Sequence, residues 1–261
     1  MTFENIRIEK AENGITTLWL ARSEKHNAMN AEMMDELAAA AEELDNCEQT
    51  RAVILAADGE TFCAGGDLKW MQAQAEKDRI GKMQEANRLA GMLKRLDSMK
   101  KPLIARVHGP AYGGGVGMLS VCDLVVAADN TKFALTETRL GLIPATIGPY
   151  VVRRLGEGHA RQVFMNARTF GAERAHHLGL VSLVTTADDL HAVTQKEAEA
   201  YLNCAPGAVA DAKALCQNLA RMPVEDQIDY TANALADRWE TSEAQAGIAA
   251  FFAKETPPWR K

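Results

Sequence analysis

The sequence predicts an α/β fold followed by a helical C-terminal region, on three observations. Strand-like and helix-like stretches alternate through residues 1–187. Four consecutive helical patterns then fill residues 188–261 with no strand between them. One plan also occurs twice, in "RAVILAADGETFCAGGDLKWM" and "KPLIARVHGPAYGGGVGMLSV": a buried strand, a short loop with a single glycine (Gly59, Gly109), a glycine pair or triple, then a helix. Two such turns in one sheet can aim their backbone amides at one place.

The elements follow in order. "FENIRIE" and "ITTLWLA" are paired strands turning at "AENG", and "NAEMMDELAAAAEELDNC" is an amphipathic helix with Met33, Leu37, Ala41 and Leu44 on its apolar face and Asn30 as its N-cap. "AVILAA" is a buried strand, a helix starts near Asp67, and a second long helix ends near Ser98, before Pro102 blocks continuation. "LIARV" is a strand, the glycine run opens a helix, and "DLVVAA" is one more strand. In "AERAHHLGL" a helix stops at Gly179. The four C-terminal helices are "DDLHAVTQKEAEAYLNC", "PGAVADAKALCQNLAR", "VEDQIDYTANALADRW" and "SEAQAGIAAFFAK". Their wide apolar faces suit packing against another subunit, and the end of the chain, Trp259 to Lys261, reads as a frayed tail.

Composition narrows the function class. With 47% hydrophobic and 25% charged residues the chain is a folded globular protein rather than a disordered one. Its net charge of −6 speaks against nucleic acid as a partner. "KRLDSMKK" is the one basic cluster, and it reads as a solvated helix end. Five widely spaced cysteines without a C-x-x-C motif point to a reducing compartment and no zinc site. No apolar leader or run of 18 apolar residues occurs, so the expectation is a cytoplasmic protein without a membrane span.

"AYGGGVGMLSVCD" is the most unusual stretch, with Gly113, Gly114, Gly115 and Gly117 heading a helix. It is not a dinucleotide fingerprint, because Met118 and Ser120 stand where the third glycine belongs. It is not a phosphate loop either, because Gly115 stands where the lysine belongs. G-x-S-x-G and H-E-x-x-H are absent from the chain. Two readings remain open: tight helix-to-sheet packing, or unpaired amides around Gly66 and Gly114 that hold a developing oxyanion.

Five ordered blocks bear on that choice: "RSEKHNAMN", "ETFCAGGDLKWM", "HGPAYGGGVGMLSVCDLVVAA", "FALTETRLGLIPATIGPYVVRRLG" and "ARTFGAERAHHLGLVSLV". With these the chain resembles the crotonase, or enoyl-CoA hydratase/isomerase, superfamily over nearly its whole length. The resemblance implies a spiral of ββα units in residues 1–187 and a helical trimerisation region in residues 188–261, associating as a trimer or dimer of trimers. It implies an acyl-CoA thioester as ligand, with coenzyme A carried by the substrate and no separate cofactor or metal. It assigns the thioester oxygen to the amides of Gly66 and Gly114, and CoA contacts to Lys25, Ala28, Ala64, Asp67 and Leu68, with Lys69 a weaker candidate. Phe252 and Lys254 are candidates for reaching the CoA of a neighbouring subunit.

The resemblance also assigns the acid/base role to Glu137, which by itself reads as a helix-start glutamate. Where the two-glutamate hydratase pattern has its second acid, this chain has Gly117. In one reading Glu137 alone orients water and moves the proton, and the space at Gly117 admits a branched, methylglutaconyl-like acyl chain. In another, Glu137 shifts a double bond between C3 and C2 as a Δ3,Δ2-enoyl-CoA isomerase. A third reading is a non-catalytic CoA- or RNA-binding relative. Among the remaining residues, His108 is expected to brace the glycine turn, Tyr112 and Tyr150 to orient water or shape the acyl pocket, Arg139 to form a structural ion pair in preference to meeting a substrate carboxylate, and His176 and His177 to serve packing or surface roles.

Overall fold

The computed structural model describes residues 3–260. Strands β1 (Ile6–Lys10) and β2 (Ile15–Leu20) pair antiparallel with Ile6 opposite Leu20, and the Gly14 N–H donates to the Ala11 carbonyl in the turn between them. Helix α1 (Ala31–Asn46) is capped by Asn30, whose side chain accepts from the Met33 N–H at 2.9 Å; Met33, Leu37, Ala41 and Leu44 are all buried. Strand β3 (Ala52–Ala57) is buried at every residue, as a central parallel strand must be. Helices α2 (Leu68–Glu76) and α3 (Arg79–Asp97) then lead to β4 (Leu103–Val107).

Next come β5 (Ala111–Tyr112), α4 (Gly114–Val121), β6 (Leu124–Ala128) and β7 (Lys132–Ala134). Helices α5 (Gly148–Leu155) and α6 (Glu157–Phe164), β8 (Phe170–Gly171), α7 (Ala172–His177) and β9 (Leu183–Thr185) follow. The chain continues with α8 (Leu190–Leu202), α9 (Pro206–Leu219), α10 (Val224–Trp239) and α11 (Ser242–Ala253), four helices with bounds close to those expected.

The main sheet has the order β1-β2-β3-β4-β6-β9, parallel from β2 onward, and β5-β7-β8 form a second, smaller sheet. Alternation along β3 divides the core between the two faces of the main sheet. Val53, Leu55 and Ala57 join the larger cluster with α1, α3 and α4, while Ala52, Ile54 and Ala56 meet Leu190 and Ala198 of α8. The helical region therefore begins with a helix that covers the sheet. Beyond it, α9 and α10 have no buried residue, and Val224, Ile228, Leu235, Phe251 and Phe252 stand exposed.

The end of the chain departs from expectation. Pro258–Arg260 form a short 3-10 turn, and a Cβ at Gly247 would lie 2.5 Å from the Trp259 ring, so the indole is seated on α11. Its Nε1 donates to the Asn203 carbonyl at 3.2 Å, and Arg51 donates to the Trp259 carbonyl at 3.2 Å. One hydrogen bond from the indole and one to the backbone carbonyl convert a frayed tail into a clasp. Lys261 lies outside the described residues.

Candidate active site

The two glycine turns meet, and the backbone explains how. Segment 26–29 runs beside segment 64–67: the Ala64 N–H donates to His26, the Met29 N–H to Gly65, and the Asp67 N–H to Met29. In this parallel bridge of Met29 with Gly66, the flanking groups are used and the N–H of Gly66 itself faces the other way. A second bridge, Cys63 with Ala111, brings the β5 turn alongside. The single glycines of the repeated plan close this contact. A Cβ at Gly109 would overlap the Glu60 carbonyl oxygen, and His108 Nε2 sits 2.7 Å from the Gly59 carbonyl. His108 is thus the brace that its position suggested.

Gly113 precedes α4 with φ of 49°, a region L residues with side chains rarely adopt, and its N–H donates to the Ala134 carbonyl at 2.9 Å. Gly114 follows as the first residue of α4, where an N–H has no intrahelical acceptor. Among the described residues neither Gly66 nor Gly114 donates its N–H to another backbone group. Both line a cavity of about 260 Å³ that also contains Glu137. The glycine run therefore serves close approach and leaves free amides at the same place.

Glu137 opens the 3-10 turn Glu137–Leu140, at a helix start as expected. Its Oε1 would be 3.2 Å from a Cβ at Gly113, so the glycine lets the carboxylate approach the amide turn. Its Oε2 is buried without a hydrogen-bond partner among the described residues, and burial pushes the carboxyl's pKa above the ordinary value. A carboxylate of raised pKa beside unpaired amides is a group able to both accept and return a proton.

The site has one acid, and the position of the missing one is filled. A Cβ at Gly117 would lie 2.5 Å from Ile147 Cγ2 and 2.9 Å from Ile147 Cβ. Ile147 is 3% exposed and forms part of the cavity wall. The expectation of open space at Gly117 for a branched acyl chain is therefore corrected: the α4–α5 contact occupies it, and Ile147 was not singled out from sequence.

The remaining expected contacts gather on the rim outside this cavity, held together by the ladder between segments 26–29 and 64–67. Lys25 is exposed in the 3-10 turn Ser23–Lys25, Ala64 is exposed, and Leu68 opens α2 with 78% of its surface accessible. The Ala28 carbonyl accepts from Arg22 at 2.8 Å. Asp67 is 7% exposed, and its side chain is committed to the fold. It caps α2 through the N–H groups of Lys69 and Trp70, at 2.9 and 3.1 Å, and pairs with Arg22 at 2.8 Å. Burial alone would raise its pKa, but the Arg22 hydrogen bond and the capped amides outweigh it and hold the carboxyl below its usual range. Its backbone is committed as well, the N–H to Met29 and the carbonyl to the Met71 N–H.

Other expectations separate. Tyr112 and Tyr150 do not line the cavity; Tyr150 lies under the Arg153 guanidinium, 5.4 Å from its ring centroid. Arg139 is exposed and makes no salt bridge among the described residues, against the expected ion pair. His176 contacts the Val181 carbonyl at 3.0 Å, and the rings of His177 and His159 lie 5.8 Å apart, both packing roles. No cluster of metal-ligating side chains occurs among the described residues, and no helix is long and apolar enough to cross a membrane.

The cavity wall itself was largely invisible to sequence reasoning. It comes from α2 (Trp70, Met71, Gln74) and from the segment after Glu137 (Leu142 to Ile147). The available signal was an apolar run, "LGLIPATI", too short and proline-broken for a helix, in which Leu142 and Ile143 end up exposed. Above the site, Glu85 fastens α2 to α3. It accepts from Lys77 Nζ at 2.7 Å, Trp70 Nε1 at 3.1 Å and Arg88 Nε at 3.2 Å. A larger cavity of about 650 Å³ beside α9 holds none of these groups, and its charged residues are already engaged, Lys213 with Asp123, Arg153 with Asp97 and Arg154 with the Cys122 and Gly179 carbonyls.

Known proteins share both sequence and shape with this chain. A crystal structure of an enoyl-CoA hydratase from Shewanella pealeana is 34% identical, with a TM-score of 0.95, covering 98% of this chain and 96% of that one. A mevalonyl-coenzyme A hydratase from Aspergillus fumigatus is 32% identical over 94% of this chain and 91% of its own length. A crotonyl-CoA hydratase from Syntrophomonas wolfei is 30% identical over 97% of each. The enoyl-CoA hydratase/isomerase family matches residues 10–261. With the crotonase-type α/β spiral, its helical C-terminal region and these matches in place, the chain belongs to the enoyl-CoA hydratase/isomerase family and is an enzyme of that family.

Proposed function

We propose that the enzyme adds water across the α,β double bond of an enoyl-CoA thioester. One observation carries this reading: Gly66 and Gly114, with unpaired N–H groups, and Glu137, with its Oε2 buried and unpartnered, line a single cavity. The two amides hold the thioester oxygen as enolate charge builds on it, a charge they stabilise better than the ground-state carbonyl. Glu137 takes a proton from water as the water oxygen bonds to C3, and the carboxylic acid so formed returns a proton to C2. The carboxylate is regenerated, and the CoA that the substrate carries stays on the product. Lys25, Ala28, Ala64, Asp67 and Leu68 form the rim along which the CoA lies, Asp67 by holding the start of α2 in place.

A second reading, Δ3,Δ2 isomerisation, is favoured by the single carboxylate, since one base suffices to carry a proton between C4 and C2. The names of the relatives from Shewanella, Aspergillus and Syntrophomonas weigh toward hydration. The Aspergillus name, which carries a branched acyl group, supports a branched substrate. Exposed apolar residues on α10 and α11 support self-association as a trimer or dimer of trimers, and the free cysteines support a cytoplasmic setting.

The deciding experiment follows the conjugated enoyl-thioester absorbance with crotonyl-CoA, 3-methylglutaconyl-CoA and a 3-enoyl-CoA supplied separately. Hydration removes the signal from the first two. A signal that only grows, from the 3-enoyl ester, overturns the hydratase reading in favour of the isomerase.

A further inference from the structure

The cavity contains a second orphaned polar group. Gln74 lies one helical turn beyond Trp70 and three residues beyond Met71, on the face of α2 that lines the cavity with them. Its Nε2 and Oε1 are both buried, and neither has a hydrogen-bond partner among the described residues. The neighbouring polar groups of α2 are satisfied: Trp70 Nε1 donates to Glu85, and Asp67 caps the first turn. A buried amide left without partners is costly to the fold, so an amide kept in a wall that is apolar apart from Glu137 and Thr146 is matched to something that enters.

We infer that Gln74 is a specificity-determining residue that selects enoyl-CoA esters whose acyl chain carries a neutral hydroxyl group beyond the double bond. The inference rests on the hydratase reading of the site and names its substrate class. The amide presents one donor group and one acceptor, and a hydroxyl answers both. An alkyl tail leaves both unpaired. A carboxylate tail offers acceptors only, leaving Oε1 opposed, and it enters a cavity lined by no Lys or Arg that already holds Glu137. The chemistry of the wall therefore disfavours a methylglutaconyl-type carboxylate and favours an uncharged, hydroxylated tail.

The test uses three 2-enoyl-CoA esters of equal chain length, ending in hydroxymethyl, ethyl or carboxylate, with crotonyl-CoA as a reference. The full-length enzyme is expected to show kcat/KM at least about tenfold higher for the hydroxylated chain than for either other chain. Gln74→Leu is expected to bring the hydroxyl-to-alkyl ratio to one or below, with the change appearing mainly in KM. A wild-type enzyme without preference for the hydroxylated chain overturns the inference, as does a preference for the carboxylate. A Gln74→Leu enzyme that loses the same factor on every substrate also overturns it, because that is the behaviour of a packing or water-holding group. Failure to hydrate any ester, crotonyl-CoA included, sinks the hydratase reading instead. In that event the same ratios, read as dissociation constants of the saturated thioesters, decide the role of Gln74.

Discussion

Glu137 carries an energetic cost that its function explains. Its buried, unpartnered Oε2 penalises the ionised form, so the folded state holds a proton that the unfolded chain has already released. Across the interval between the ordinary carboxyl pKa and this raised value, the contribution of Glu137 to stability falls as pH rises. Activity runs the other way, because the base must be ionised. The acid limb of kcat/KM is therefore expected to sit above the ordinary glutamate pKa. Glu137→Gln is expected to cost about 100- to 10,000-fold in kcat while CoA-ester binding persists and the melting midpoint at neutral pH holds or rises. Retained turnover, or an acid limb unchanged in the residual activity, would place the base elsewhere. The identity of this acid was legible because it sits in an extended motif. Its burial was not, since a glutamate opening a helical turn reads as a solvated cap unless the facing Gly113 is known to touch it.

At the level of elements, α1, β3, β4 and the four C-terminal helices were legible from periodicity and from their stop signals. Strands β5, β7, β8 and β9, of two or three residues each, were not, because a strand that short shows no alternation and exists only through its partners. The α4–α5 contact escaped for a related reason: it depends on a glycine with nothing to display. Ile147, the residue before α5, fills the space over Gly117 so closely that a single methyl group there is overpacked. Gly117→Ala is expected to destabilise by about 1–3 kcal/mol. Combined with Ile147→Ala, it is expected to show a favourable coupling of about 1–2 kcal/mol in a double-mutant cycle read by denaturant unfolding. Additive effects would mean that the two positions do not compete for this space.

For the molecule as a whole, the site is a joint between two βα units that are distant in sequence. Gly66 follows β3 and Gly114 follows β4, and nothing in either unit alone sets the separation of their amides. The repeated plan made both turns legible, but the contact between them had to be seen in three dimensions. It is set where Gly109 lies against the Glu60 carbonyl and His108 meets the Gly59 carbonyl. Gly109→Ala, far in sequence from Glu137, is expected to cost about 1–3 kcal/mol of stability. It is also expected to lower kcat more than it raises KM, because the oxyanion is held by both turns at once. A variant with unchanged kcat and a lowered melting midpoint would confine Gly109 to the fold.

That same junction limits how the chain can change in length. Surface loops ordinarily absorb extra residues at little thermodynamic expense. Residues 58–66 and 108–113, irregular apart from the two-residue β5, have the form of ordinary connections but act as gauge blocks, since one added residue in either would slide one amide past the other by a full backbone step of about 3.8 Å. Growth of this protein by insertion, natural or engineered, belongs instead at junctions such as Lys77–Asp78 between α2 and α3, where reach over the pocket can vary while the spacing of the two amides stays fixed.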